Sequence, residues 1–289
     1  MTAAVSIAAP VFPASANVQA IIDLALSEDI GRGDLTTEAT VSPDGLASAE
    51  VLQKSPGVVC GLPLLARVFA TLDQRVQVRL LADEGSFDAR GRVVARIDGP
   101  AMAILTGERT ALNFVQRLSG VASASRRAYE LVEGTRARVI DTRKTTPGLR
   151  VLEKYAVRVG GASNHRAGLD DGFLIKENHI RAAGGITAAV RAASGRAAPG
   201  QIVEVEVTTI AELDEALLAG AKLILLDNLG VQAMRTAVVH TAGRARLEAS
   251  GGITLDNLAD VAKTGVDFIS LGALTHSASV LDFSLEVVS

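Results

Sequence analysis

Six short runs rich in Leu and β-branched residues follow one another in the second half of the chain, and they limit what it can fold into. They are Ala137–Ile140, Phe173–Ile175, Ile202–Val207, Leu223–Leu226, Ala245–Ala249 and Phe268–Leu271. Helical periodicity fills several of the gaps between them, at Ile210–Ala219, Val231–Thr241 and Leu255–Lys263. Strand–helix alternation of this kind builds parallel strands joined by right-handed crossovers. Such a series over about 140 residues suits an incomplete α/β barrel of the TIM type better than an open doubly wound sheet. No GxGxxG loop follows the first strand, which also speaks against a dinucleotide fold.

In α/β barrels the chemistry gathers at the C-terminal ends of the strands. Here every run delivers a polar, charged or Gly residue at that end. In order they are Asp141-Thr142-Arg143-Lys144, Lys176, Glu206, Asp227-Asn228, Ser250-Gly251-Gly252 and Gly272-Ala273. Solubility requires no such regularity. The glycines of the last two ends allow close backbone approach to phosphate oxygens, which barrels commonly bind at this point. Glu204 and Glu206 alternate with Val203, Val205 and Val207, so both acids face the barrel interior. An inward acid needs a cation, a hydroxyl or a metal. Glu206, nearer the mouth, is expected to contact ligand, and Glu204 to pair internally. Asp227 closes an apolar run and belongs to a pocket rather than to the core. No His/Asp/Glu set has the chain spacing of a zinc or two-metal site, so Mg²⁺ bridged by few protein ligands is the expected ion.

The stretch from Asp141 to His179 supplies the opposite charge. It holds eight Lys or Arg, counting Arg181 just past its end, against five acids, in a chain of net charge −3. Turn-formers flank many of these cations, so loops are expected to carry them around a small, highly charged anion. Acids, lysines, arginines and phosphate loops together describe a site for a phosphorylated sugar.

The first half has a different rhythm. Asn17 reads as an N-cap for a helix that stops at Gly31. β-rich segments at Ala47–Gln53, Val58–Cys60, Val76–Leu81 and Val93–Ile97 surround a helix at Leu62–Leu72, an α+β pattern. A long helical stretch from Ala103 to Val132 embeds Glu108, Arg109, Asn113 and Arg117. The strand-like tail Leu281–Val288 is expected to return to this region. The expected division is a disordered tail over 1–16, an N-terminal α+β sandwich domain over 17–117 joined by 277–289, and the barrel over 118–276.

Composition excludes several classes of function. With 48% apolar residues the chain can bury a large core, yet no run reaches membrane-spanning length. A pI near 5.9 and the lack of Trp argue against nucleic acid, which wants a broad basic face and stacking platforms. One cysteine excludes a disulfide framework, and Cys60 lies in an apolar run, where a buried inert thiol is expected. The first sixteen residues lack Lys and Arg and contain Pro10 and Pro13, a poor signal peptide, so a cytoplasmic protein is expected.

Several segments are specific enough to carry a resemblance. They are Glu28-Asp29, Gly33-Asp34-Leu35-Thr36-Thr37, Glu108-Arg109-Thr110-Ala111-Leu112-Asn113, Asp141-Thr142-Arg143-Lys144-Thr145, Asn164-His165-Arg166, Leu174-Ile175-Lys176-Glu177-Asn178-His179 and Gly272-Ala273-Leu274-Thr275-His276-Ser277. With them the chain resembles the quinolinate phosphoribosyltransferases, the nicotinate-nucleotide pyrophosphorylases of NAD biosynthesis. The resemblance implies that quinolinate and phosphoribosyl pyrophosphate become nicotinate mononucleotide, pyrophosphate and CO₂, with Mg²⁺, in a homodimer. It implies that Arg109 reaches the partner subunit's site and that Arg143, His165, Arg166 and Lys176 bind the substrate carboxylates. Lys144 then lies near both substrates, with Thr142 in the same turn. Glu206 and Asp227 hold the ribose hydroxyls and the metal, and Ser250, Gly251, Gly252, Gly272 and Ala273 form the phosphate loops. The alternatives are a relative that takes another acceptor, such as nicotinate, or a non-catalytic sensor or molybdenum-transport accessory protein. Intact acids at Glu206 and Asp227 favour an enzyme, and His165-Arg166 favours quinolinate.

Overall fold

The computed structural model describes residues 10–13, 16–89 and 91–288. The first half runs α1 (Ala16–Ile30), α2 (Leu35–Thr40), β1 (Leu46–Gln53), β2 (Gly57–Val58), α3 (Leu62–Leu72), β3 (Gln77–Leu80), β4 (Phe87–Asp88), β5 (Arg92–Pro100) and α4 (Ala101–Leu131). Next come β6 (Arg138–Ile140), α5 (Arg150–Val159), β7 (Phe173–Ile175), α6 (Glu177–Ala183), α7 (Ile186–Ser194), β8 (Val203–Val207) and α8 (Ile210–Leu218). The chain finishes with β9 (Leu223–Asp227), α9 (Val231–Thr241), β10 (Arg246–Ser250), α10 (Leu255–Ala262), β11 (Phe268–Ser270), α11 (Ala273–His276) and β12 (Phe283–Val287). No described helix is long and apolar enough to cross a membrane.

Two compact units emerge. The first contains Met1–Arg126, Thr145–Gly161 and Leu274–Ser289. Its antiparallel sheet has the order β12-β1-β5-β3, so the C-terminal strand returns to β1 as expected. In α1, Val18, Ile22 and Leu26 recur every four residues and are buried, which sets the inward face of that helix. The Asp34 carboxylate accepts from Thr37 N–H at 3.0 Å and caps α2. A buried ion pair ties distant parts of this unit together. Arg117 donates to Glu153 Oε1 at 2.7 Å and to the Ala278 carbonyl at 2.9 Å. Glu153, wholly buried, also accepts from Thr146 N–H at 3.0 Å. Cys60 is free and buried, and burial pushes its thiol up, consistent with an inert role.

The second unit contains Arg127–Lys144 and Ala162–Ala273. Its six strands are parallel in the order β6-β11-β10-β9-β8-β7. That is the cyclic order of a barrel opened between β6 and β7, because the chain leaves for the first unit between these strands. The α/β architecture with an open barrel therefore stands as expected, and no closed barrel forms among the described residues.

Four details differ from the sequence reading. Helix α1 already includes Ala16 and Asn17, so Asn17 is not its cap. Most of the expected tail lies outside the described residues, but Phe12 packs edge-on to Tyr155 at 5.1 Å between ring centroids. The expected loops past Pro147 contain α5, so Arg150, Lys154 and Arg158 sit on a helix of the first unit, with Lys154 buried. Helices α6 and α7 fill the gap before β8, a segment outside the three helical stretches expected from the sequence.

Candidate active site

The second unit brings thirteen of the fourteen expected site residues into one sheet and its following loops. Arg109 lies in the first unit, on α4, with its side chain 59% exposed and Glu108 4.0 Å away. Parallel strands aim all their C-terminal loops the same way.

At the end of β6, Asp141 is completely buried and organises the loop that follows β6 in space. Its Oδ1 accepts from His165 N–H at 2.8 Å, and its Oδ2 accepts from the Asn164 amide at 2.6 Å. Ile140 and Ser163 form an isolated parallel bridge beside them. Thr142 Oγ1 accepts from Lys144 N–H at 3.0 Å and shapes the turn that exposes Lys144. Arg143 is half-buried in this turn. Arg166 donates from Nη1 to the Gly172 carbonyl at 2.9 Å. Its Nε is buried and has no hydrogen-bond partner among the described residues. Partial burial, and then repulsion from Arg143, lower the Arg166 pKa from its ordinary value.

Lys176 follows β7 directly, and its Nζ lies 3.5 Å from Glu206 Oε2 on β8. Asp227 closes β9, where Asn228 takes a left-handed backbone with φ 55°. Asn228 donates from its amide to Asp227 Oδ2 at 2.7 Å and from its backbone N–H to the Ser250 carbonyl at 2.9 Å. Gly251, with φ +87°, lies so close that a Cβ there would stand 2.2 Å from Asn228 Oδ1. A Cβ on Gly252 would meet open space, although its φ of +61° also suits glycine. Gly272 and Ala273 follow β11. Glu206 and Asp227, two half-buried carboxylates on neighbouring strands, form a hard oxygen donor set of the kind Mg²⁺ accepts alongside ligand phosphates.

Below these residues lies a cluster that sequence spacing hid. A His165 ring nitrogen and carboxylate oxygens of Glu204 and Glu248 lie within 4.8 Å of one another. Both acids are only 1% exposed. Glu204 thus pairs internally, as expected. Burial pushes both carboxyls upward, and the ionised Glu204 raises Glu248 further. Glu248 sits between Leu247 and Ala249 with no turn beside it, so nothing in its surroundings had marked it as a site residue.

Two family models cover most of the chain. Quinolinate phosphoribosyl transferase, N-terminal domain, matches residues 34–119, and quinolinate phosphoribosyl transferase, C-terminal domain, matches residues 121–286. A probable nicotinate-nucleotide pyrophosphorylase [carboxylating] of Bacillus subtilis is 45% identical over 260 residues, 90% of each chain. The nicotinate-nucleotide pyrophosphorylase [carboxylating] of Mycobacterium leprae is 43% identical over 91% of this chain and 94% of its own. The solved nicotinate-nucleotide pyrophosphorylase from Francisella tularensis superposes with a TM-score of 0.90 at 39% identity, covering 94% of this chain and 96% of its own. This chain belongs to the quinolinate phosphoribosyl transferase family and carries both of that family's domains.

Proposed function

We infer that the chain transfers the phosphoribosyl group of phosphoribosyl pyrophosphate to quinolinate and releases CO₂, giving nicotinate mononucleotide and pyrophosphate for NAD biosynthesis. One observation carries this reading. In a chain of this family, Arg143, Lys144, Arg166 and Lys176 share one unit with Glu206 and Asp227, and Lys176 lies 3.5 Å from Glu206 across neighbouring parallel strands.

Quinolinate is a dianion, so Arg forks and Lys point charges suit its two carboxylates. Arg143, Arg166 and Lys176 take that role, and Lys144 stands between the acceptor and the sugar donor. The ribose C1–oxygen bond breaks with its electron pair leaving on pyrophosphate, and the quinolinate ring nitrogen bonds to C1. Glu206 and Asp227 hold the ribose hydroxyls and stabilise positive charge developing on the sugar. The backbone of Ser250, Gly251, Gly252, Gly272 and Ala273 receives phosphate oxygens. Mg²⁺ held by Glu206 and Asp227 would offset the charge of the departing pyrophosphate. After N-alkylation the ring is cationic. The bond to the adjacent carboxylate then breaks, CO₂ departs, and the electron pair left on the ring carbon takes a proton from water. No protein nucleophile is needed.

The same reading makes the enzyme a cytoplasmic homodimer, with Arg109 reaching the partner subunit's site. The exposed Arg109 side chain supports the dimer, and a single free, buried cysteine suits a reducing compartment. The test is stoichiometry with purified protein, quinolinate, phosphoribosyl pyrophosphate and Mg²⁺. CO₂ and pyrophosphate released one for one support the reading, and pyrophosphate without CO₂ contradicts it. For the dimer, inactive Arg109→Ala and Arg143→Ala proteins are mixed under subunit exchange. Regained activity supports a shared site, and continued silence contradicts it.

A further inference from the structure

We propose that Arg117 and Glu153 are positioning residues for the reaction, and that this one buried pair fixes both the cation loop Arg143-Lys144 and the phosphate loop Gly272-Ala273. The inference rests on the quinolinate reading and adds two residues outside the proposed ligand set.

The path of the chain carries the argument. It passes from the second unit to the first between Lys144 and Thr145 and again between Ala273 and Leu274. Each crossing therefore directly follows a loop of the proposed site. Thr146 lies two residues past Lys144, and Thr275 lies two residues past Ala273. The same pair of side chains holds both. Glu153 Oε2 accepts from the Thr146 backbone N–H at 3.0 Å, and Oε1 accepts from the Thr146 hydroxyl at 2.7 Å. Arg117 donates from Nε to Glu153 Oε1 at 3.0 Å, and its terminal nitrogens donate to the Thr275 and Ala278 carbonyls. Arg150 adds a tie at the first crossing, where its Nε donates to Thr145 Oγ1 at 3.0 Å. Helices α4 and α5 thus grip the chain just beyond each ligand loop.

Energy alone is a poor account of this pair. The Glu153 side chain has no exposure and that of Arg117 is 21% exposed. A buried ion pair offsets its desolvation only through good geometry, and packed apolar residues in its place are often as stable. What apolar residues lack is directional bonds to two separate chain segments. A guanidinium has them, because its donors leave in fixed directions and serve a carboxylate and two carbonyls at once. The reaction needs the acceptor nitrogen aligned with ribose C1. A small shift between the loop that holds the acceptor and the loop that holds the donor phosphates is therefore costly.

Arg117→Lys, Thr146→Val and Thr146→Ser test the idea in full-length protein, with kinetics for both substrates and thermal unfolding to confirm the fold. Lysine keeps a charge opposite Glu153 but loses the fork to the carbonyls. It should raise the KM of quinolinate and of phosphoribosyl pyrophosphate together, each about tenfold, the size of one lost hydrogen bond to a charged group. Valine at position 146 keeps the backbone bond to Glu153 and removes the hydroxyl. It should raise the quinolinate KM about fivefold and leave the phosphoribosyl pyrophosphate KM within about twofold. Serine keeps the hydroxyl and should return the quinolinate KM to the wild-type value. A pair that only stabilises the fold would lower apparent kcat with the folded fraction and leave both KM values unchanged. That result in folded Arg117→Lys would overturn the proposal, and so would a rise in one KM alone. If Arg117→Lys does not fold, position 146 decides, and equal quinolinate KM values for valine and serine would sink the idea. Wild-type protein that ignores quinolinate altogether would instead refute the functional reading, a distinct outcome.

Discussion

Lys176 Nζ stands 3.5 Å from Glu206 Oε2, a cation from the end of β7 facing an acid on β8. The Lys176 side chain is 54% exposed, and ion pairs this open add at most about 1 kcal/mol to stability. Function is the better reason for the pair. Lys176→Ala should therefore lower kcat/KM for quinolinate by about a hundredfold while thermal unfolding stays nearly unchanged. A large loss of stability with activity intact would make the pair structural.

Gly251 and Gly252 separate two effects of a side chain at the phosphate loop. Both have positive φ, so alanine at either position costs roughly 1–2 kcal/mol in backbone strain. At Gly251 the added methyl also drives into Asn228, the residue that holds Asp227. Gly251→Ala should cut both turnover and stability more than Gly252→Ala, whose cost is backbone strain alone. Equal turnover in the two variants would remove Asn228 from the account of Asp227.

The Arg117–Glu153 pair is the opposite case, because Glu153 is fully buried. Removing one partner strands the other charge, so Glu153→Ala should cost about 3–5 kcal/mol in chemical denaturation. A loss below about 1 kcal/mol would show that the pair is dispensable.

Buried Glu248 makes stability depend on pH in an unusual direction. Its folded-state pKa is raised above the ordinary 4.5, so the folded protein binds more protons than the unfolded chain just above that pH. The contribution is full below 4.5 and is lost as pH rises through the higher folded value. Stability should thus fall across the neutral range, and Glu248→Gln should flatten that slope. An unchanged slope in the variant would mean that Glu248 is ionised in the fold.

Much of this architecture was legible because period and turn chemistry are local. The six runs and their polar ends marked the parallel strands, and the Val/Glu alternation of β8 put Glu204 and Glu206 on one face. What escaped was set by distance along the chain. Glu204 and Glu248 meet because β8 and β10 both pair with β9, a fact of topology that no local pattern encodes. Residues 145–161 read as basic loops, yet α5 buries Lys154 and Glu153, and Glu153 pairs with Arg117 on α4, far away along the chain. Asn228 looked like a loop residue, and its left-handed backbone became evident only beside Gly251.

A cation cluster of this composition should select a dicarboxylate acceptor. The direct measurement is product formation by purified protein with phosphoribosyl pyrophosphate and Mg²⁺, given quinolinate or nicotinate in parallel. Nicotinate mononucleotide and CO₂ are expected from quinolinate, with no product from nicotinate. Product from nicotinate alone would contradict it.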